Sequence, residues 1–222
     1  MKTTFRNRTE AGRLLAKRLK ATYANRLDVL VLGLPRGGVP VAFEVAKVLN
    51  APLDICLVRK LGVPGHQELA MGAIATGGIM VINEEVVRSL RISQIAIEQV
   101  AARERQELER RERVYRGDRP TPDLSHRTII LIDDGIATGS TLKAALSTIK
   151  QQQPEHIVVA VPVAPPDVYT ELKSEVDEVV CLLTPEWLCS ISLWYEDFSP
   201  TTDEEVRYLL AQIIKEQTAT SS

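Results

Sequence analysis

Two adjacent carboxylates, Asp133 and Asp134, end a run of four aliphatic residues in IILIDDGIATGST (129–141), and a turn of Gly, Ala, Thr and Ser follows them. A turn with so few side chains lets a phosphate reach backbone N–H donors, and Ser and Thr hydroxyls add further donors. Carboxylates beside such a cradle repel phosphate unless they hold something else. Sugar hydroxyls would satisfy them, and so would Mg²⁺, a hard cation that takes oxygen ligands and bridges phosphates. A second small-residue turn, GLPRGGVP (33–40), sets Arg36 beside Gly37 and Gly38. Two anion cradles in one chain point to a ligand with two separated phosphate groups. Neither turn has the G-x-x-x-x-G-K-[ST] or the G-x-G-x-x-G spacing.

The elements that must position these turns are legible as alternating strands and helices. DVLVLGL (28–34), LDICLVRK (53–60), TIILID (128–133), HIVVAVPVA (156–164) and EVVCLL (178–183) are aliphatic runs of the buried-strand kind. Strands that are apolar along their length and alternate with helices predict an α/β fold, with a mainly parallel five-stranded sheet flanked by helices. Ligand turns then sit at the C-terminal ends of the strands. Helices are predicted over 9–21, capped by Thr9 with Ala11, Leu14, Leu15 and Leu19 on one face, and over 39–50, with Val41, Ala42, Val45, Val48 and Leu49 inward and Asn50 at its end. Others follow over STLKAALSTIK, from Pro165-Pro166, and over 203–215 with Thr202 or Asp203 as cap. LGVPGHQELAMG (61–72) is predicted as a loop, with short strands near 72–75 and 79–82. A long charged helix is predicted over 98–116, solvated and laced by the i,i+4 pairs Glu107–Arg111, Glu109–Arg113 and Glu112–Arg116, with a dimer contact or a nucleic-acid arm as the livelier alternative, the near balance of arginine and glutamate counting against the arm. RGDRPTPDLSH (116–126) is a polar, hinge-like connection.

Composition narrows the class. The chain has 222 residues, 45% apolar and 25% charged, with a formal net charge of −2. That balance suits a globular protein and offers no overall pull toward nucleic acid or an anionic membrane. Cys56, Cys181 and Cys189 are scattered, and His66, His126 and His156 show no zinc spacing with them. Few, unpatterned cysteines suit a reducing compartment. With neither an apolar leader nor a run of about 20 apolar residues, the expectation is a cytoplasmic protein.

IILIDDGIATGST resembles the thirteen-residue signature of the type I phosphoribosyltransferases: four hydrophobic residues, two acids, a variable stretch, then T-G-x-T/S. The resemblance implies the Rossmann-like fold of that family and a donor, 5-phosphoribosyl 1-pyrophosphate (PRPP), with Mg²⁺ as cofactor. It implies that Asp133 and Asp134 hold the ribose hydroxyls, directly or through water and metal, and that Ala137, Thr138, Gly139, Ser140 and Thr141 wrap the 5-phosphate. PRGG resembles the family's pyrophosphate loop, with Arg36, Gly37 and Gly38 as contacts and a cis peptide at Pro35–Arg36. Arg59-Lys60, followed by a segment containing His66, resembles the mobile catalytic loop of the orotate branch; there an R-K pair precedes K-x-H-G, whereas GVPGHQE has no lysine beside its histidine. The whole chain also resembles a stand-alone branch of predicted phosphoribosyltransferases. Transfer of ribose 5-phosphate to a nitrogen acceptor, a nucleobase, with release of pyrophosphate is the implied activity. The alternative is a regulator that binds PRPP or a nucleotide without turnover. A single domain is expected, with a core over about 28–184 and a small hood from about 1–26 and 185–202, and the family implies a homodimer.

Plainer readings stand beside these. Arg36 also fits a solvated turn, Arg59 and Lys60 strand-end surface charges, and His66 a surface position. Trp187, Trp194, Tyr195 and Phe198 form an aromatic group that fits either a hood stacked on a planar acceptor or ordinary core packing. Glu196 and Asp197 could meet ring N–H groups or water.

Overall fold

The computed structural model describes residues 4–220. In chain order its elements are α1 (Arg8–Tyr23), β1 (Val29–Gly33), α2 (Gly38–Leu49), β2 (Leu53–Ile55), β3 (Val58–Val63), β4 (His66–Ala75), β5 (Met80–Ile82), α3 (Glu84–Ser89), α4 (Gln94–Arg116), β6 (Thr128–Ile132), α5 (Ser140–Lys150), β7 (His156–Val163), α6 (Pro166–Lys173), β8 (Glu178–Leu183) and α7 (Asp203–Thr220). They form two compact units. One runs up to Ile55 and takes in Leu124–Gly139 and the chain from Pro154 onward; the other is Cys56–Asp123 with Ser140–Gln153. Residues 1–3 of the expected hood lie outside the described residues.

The first unit holds a five-stranded parallel sheet in the order β2-β1-β6-β7-β8. Every residue of β1 and β6 is buried, as continuous aliphatic strands require when both faces are covered. From β1 the chain moves outward to β2; from β6 it moves the other way, to β7 and β8. The order therefore reverses between β1 and β6, and a crevice opens at their C-terminal ends. Register brings those ends level: Gly33 pairs with Ile132, and Leu34 N–H donates to Ile132 C=O at 2.9 Å. The predicted α/β fold and its five parallel strands are thus present.

Several local expectations are corrected. The cap of α1 is Asn7, whose side chain accepts from Glu10 N–H at 3.0 Å, not Thr9. Leu14 and Val48 point outward, while Gly12, Ala16 and Tyr23 complete the buried face of α1. LDICLVRK is not one strand: Leu53–Ile55 extends the parallel sheet, and Val58 begins a strand of another sheet. A continuous apolar run carries no mark of such a change. Of the two expected caps of α7 it is Thr202 that serves, its hydroxyl accepting from Glu205 N–H at 3.1 Å.

The second unit contains a three-stranded antiparallel sheet, β3-β4-β5. The expected loop 61–72 is therefore a hairpin that turns at Pro64-Gly65, irregular between Leu61 and Val63. Its small residues, Gly62, Gly65, Ala70 and Gly72, hid the strand alternation. Ser93 caps α4, so the helix begins four residues ahead of the expected 98, and α3 precedes it, capped by Asn83. The helix is not simply solvated. Ile97, Ala101, Leu108 and Tyr115 are buried, with Glu104 and Arg116 among them, and Glu107–Arg111 (2.8 Å) and Glu112–Arg116 (2.5 Å) pair as predicted. No helix among the described residues is long and apolar enough to cross a membrane.

Candidate active site

Both small-residue turns leave the sheet where its order reverses. Leu34–Gly37 follows β1 and leads into α2; Asp133–Gly139 follows β6 and leads into α5. Neither α2 nor α5 has an acid in its first turn, whereas α1, α3, α6 and α7 each do. An anion at these helix starts meets unpaired N–H groups and the positive end of the dipole without a competing carboxylate.

In the first unit the turns touch. The Pro35–Arg36 peptide is cis, as the resemblance implied. A Cβ added to Gly38 would stand 2.7 Å from Ile132 O and 2.9 Å from Asp133 Cα; one on Gly37 would stand 2.0 Å from Asp134 Oδ2. At Gly38 the nearest atoms are backbone, so only glycine permits this approach, while at Gly37 the missing side chain leaves the place that the Asp134 carboxylate fills. Arg36 is half exposed and sits 3.6 Å from Asp203 at the start of α7. Ala137 and Thr138 are exposed, and Gly139 takes φ 73° at the end of the turn.

The two carboxylates have different surroundings. Asp134 is buried; its Oδ2 accepts from Arg8 Nε at 2.8 Å, and both side chains are 11% exposed. Its backbone C=O accepts from the Tyr195 hydroxyl at 2.6 Å. Asp133 is half-buried and uses one oxygen to accept from Asp134 N–H at 2.9 Å. Burial, and after it repulsion from Asp134, pushes the Asp133 carboxyl well above the usual carboxylate range; Arg8 works in the opposite direction. Among the described residues no cluster of three or more His, Cys, Asp or Glu could cage a metal. Two carboxylates fit the way Mg²⁺ is commonly held, by one or two acids together with substrate phosphates.

Sequence reasoning missed Arg8. It occupies the first position of α1, where the helix dipole disfavours a cation by about 0.3–1 kcal/mol; with Thr9 read as the cap, the sequence left Arg8 outside the helix and carried no signal of it. Its Nη1 donates to Ser199 C=O at 2.7 Å, and its guanidinium lies 3.9 Å from the Phe198 ring centre. Phe198 packs on Tyr195 (5.0 Å) and Tyr195 on Phe5 (5.4 Å). Half-buried Trp194 belongs to the same cluster, while Trp187 is 87% exposed and stands outside it. The aromatic group is thus largely packing that braces Asp134. Asp197 accepts from the Ser199 hydroxyl and N–H, which holds its carboxyl below the usual range.

The remaining predicted residues belong to the second unit. Ser140 and Thr141 are exposed at the start of α5. Lys60 stands opposite Ala73 in the hairpin and lines a cavity of about 420 Å³ with Asn83, Ser140, Lys143 and Ser147. Arg59 is bound by Glu104 at 2.7 Å. His66 opens β4 beside the hairpin turn and is exposed.

Comparison with known proteins agrees with this layout. A family model described as phosphoribosyl transferase domain matches residues 6–193. Two Mycobacterium tuberculosis proteins, named "Putative phosphoribosyl transferase MT0597" (strain CDC 1551 / Oshkosh) and "Putative phosphoribosyl transferase Rv0571c" (strain ATCC 25618 / H37Rv), are each 46% identical over 202 residues, which is 91% of this chain and 45% of theirs. The chain thus spans about half the length of these curated relatives. The crystal structure of TT1426 from Thermus thermophilus is 42% identical, with TM-score 0.83 over 94% of this chain and 98% of that one. The structure of AQ2163 from Aquifex aeolicus, 14% identical with TM-score 0.51 over 91% of this chain and 85% of that one, shares the fold alone. With an acidic, small-residue turn and a glycine turn meeting where the sheet order reverses, and a family match across most of its length, the chain belongs to the phosphoribosyl transferase domain family.

Proposed function

We propose that this protein is an enzyme that transfers ribose 5-phosphate from PRPP to a nitrogen acceptor, a nucleobase, and releases pyrophosphate. The observation that carries this is the contact of the PRGG turn with Asp133-Asp134, where glycine is the only residue that fits. It favours a ligand whose pyrophosphate, ribose and 5-phosphate are continuous. The Ala137–Thr141 turn receives the 5-phosphate, and Asp133 and Asp134 accept hydrogen bonds from the ribose hydroxyls. Arg36, Gly37 and Gly38 receive the pyrophosphate, Arg36 exchanging Asp203 for the leaving group. Asp133 and Asp134 are also the residues that would hold Mg²⁺, which supplies charge neutralisation on the leaving pyrophosphate when bound. Such chemistry needs positioning and electrostatic stabilisation more than covalent help from the protein. By the sequence resemblance alone, Lys60 and His66 are the further candidates for a catalytic role.

A regulator that binds PRPP without turnover is the second reading. The observation in its favour is the ion pair between Arg59 and Glu104, which engages one of the cations assigned to the catalytic loop. The deciding experiment incubates the protein with Mg²⁺, PRPP and a panel of bases and measures acceptor-dependent pyrophosphate release. Release with one base supports transfer; tight PRPP binding without release across the panel supports the regulator. In Asp133→Asn with Asp134→Asn, PRPP affinity and turnover should both vanish, and retained affinity would sink the assignment of the donor site.

A further inference from the structure

We infer that Arg8 is a positioning residue for the donor site, fixing Asp134 and cancelling its charge so that a doubly phosphorylated ligand can enter. This role rests on the PRPP reading above. Asp134 Oδ2 is committed to the protein: Arg8 Nε lies 2.8 Å away, and the Gly37 backbone leaves no room for even a methyl group beside it. Any ligand contact of Asp134 therefore runs through its other oxygen, and Arg8 sets where that oxygen points.

The guanidinium is itself held on three sides. It binds Asp134, donates to Ser199 C=O at 2.7 Å and lies on Phe198 at 3.9 Å. The Tyr195 hydroxyl pins the Asp134 backbone from the same aromatic cluster. Nothing about helix α1 calls for a cation at its first position, where the dipole opposes one.

The charge balance gives the arrangement a purpose. Two carboxylates alone, beside the PRGG turn, would oppose the negative charge of pyrophosphate. The Arg8 guanidinium, 2.8 Å from Asp134 Oδ2, offsets the charge of that carboxylate, in surroundings that screen less than water. Arg8 thus removes much of the repulsion while leaving the acids free to take hydroxyls.

The test is calorimetric titration of PRPP and of inorganic pyrophosphate, each with Mg²⁺, into the wild-type protein and into Arg8→Gln, Arg8→Lys and Leu172→Ala, with a thermal melt of each. Arg8→Gln should weaken both ligands about tenfold or more, as removal of one member of a buried charge pair does. Arg8→Lys should recover most of the loss, because it keeps the charge. Leu172→Ala, which disturbs buried packing on α6 and not the ion pair, should bind PRPP within about threefold of wild type while melting lower. Wild-type affinity in Arg8→Gln overturns the role of Arg8. So does a loss in Arg8→Lys or Leu172→Ala equal to that in Arg8→Gln, which would make the contact one of packing. If the wild-type protein binds neither PRPP nor pyrophosphate, the donor reading falls and the role of Arg8 with it.

Discussion

The Gly37 backbone lies against the Asp134 carboxylate, so closely that a Cβ on Gly37 would stand 2.0 Å from Oδ2 and 3.2 Å from Arg8 Nε. The two turns of the proposed donor site therefore pack against each other. Gly37→Ala must displace the Asp134 carboxylate from its place beside Arg8, and overpacking of this kind costs about 1–3 kcal/mol. At about 2–4 °C per kcal/mol for a chain of this size, the melting temperature should fall by several degrees, and PRPP affinity should fall with it. A variant that melts and binds as wild type does would show that the Asp134 carboxylate moves aside freely.

Tyr195 should matter through its hydroxyl. Burial pushes its phenol up from the ordinary tyrosine range, with the Asp134 carboxylate adding to the effect, so it stays a donor at every working pH. Tyr195→Phe leaves the ring packing in place and strands the Asp134 carbonyl. The expected loss is about 1–3 kcal/mol of stability, seen in a denaturant titration, with weaker PRPP binding as Asp134 loosens. Unchanged stability would mean that water replaces the hydroxyl.

The three thiols should separate by reactivity. Cys189 is exposed, Cys56 is buried, and burial pushes the Cys181 thiol up to about 11. The thiolate is the reactive form, so Cys181 stays protonated and slow at neutral pH. Alkylation at pH 8 followed by mass spectrometry should find Cys189 modified first, and all three only after denaturation. Early labelling of Cys181 would contradict its placement.

The charged helix carries a pH-dependent contribution. Hydrogen bonds from Arg110 and Arg111 hold the Glu107 carboxyl down at about 2. A depressed carboxylate stabilises the fold above its unfolded value and loses that contribution as pH falls. The loss should therefore run from about pH 4.5 down to about 2. Because Glu107 is partly exposed, the pairs are screened, and Glu107→Gln should cost no more than about 1 kcal/mol at pH 7. An NMR titration placing Glu107 near the ordinary glutamate value would rule out these pairs in solution.

Much of the site was present in the order of residues. An aliphatic run ending in Asp133-Asp134 has to be a buried strand whose acids emerge at its end, and the small residues beyond it leave backbone donors open. PRGG, by the same logic, had to follow another buried strand. These are local consequences of residue type, so they are legible without neighbours. The hairpin at 58–75 was not, because glycines and a register irregularity erase the period-two pattern. The break after Ile55 was hidden for a related reason: an apolar run looks the same whichever sheet it joins.

Residue order alone dictated the strands, the two small-residue turns and the acidic pair, because each follows from side-chain size, charge and period along the chain. Which groups meet was left to the packing of the folded chain. Parallel pairing of β1 with β6 brings Gly37 onto Asp134, and the first turn of α1 delivers Arg8 to the same carboxylate across 126 residues of sequence. Neither contact leaves a spacing that could be read in advance. A close approach depends on the absence of a side chain, and an ion pair forms between whichever charges the packed backbone brings within reach.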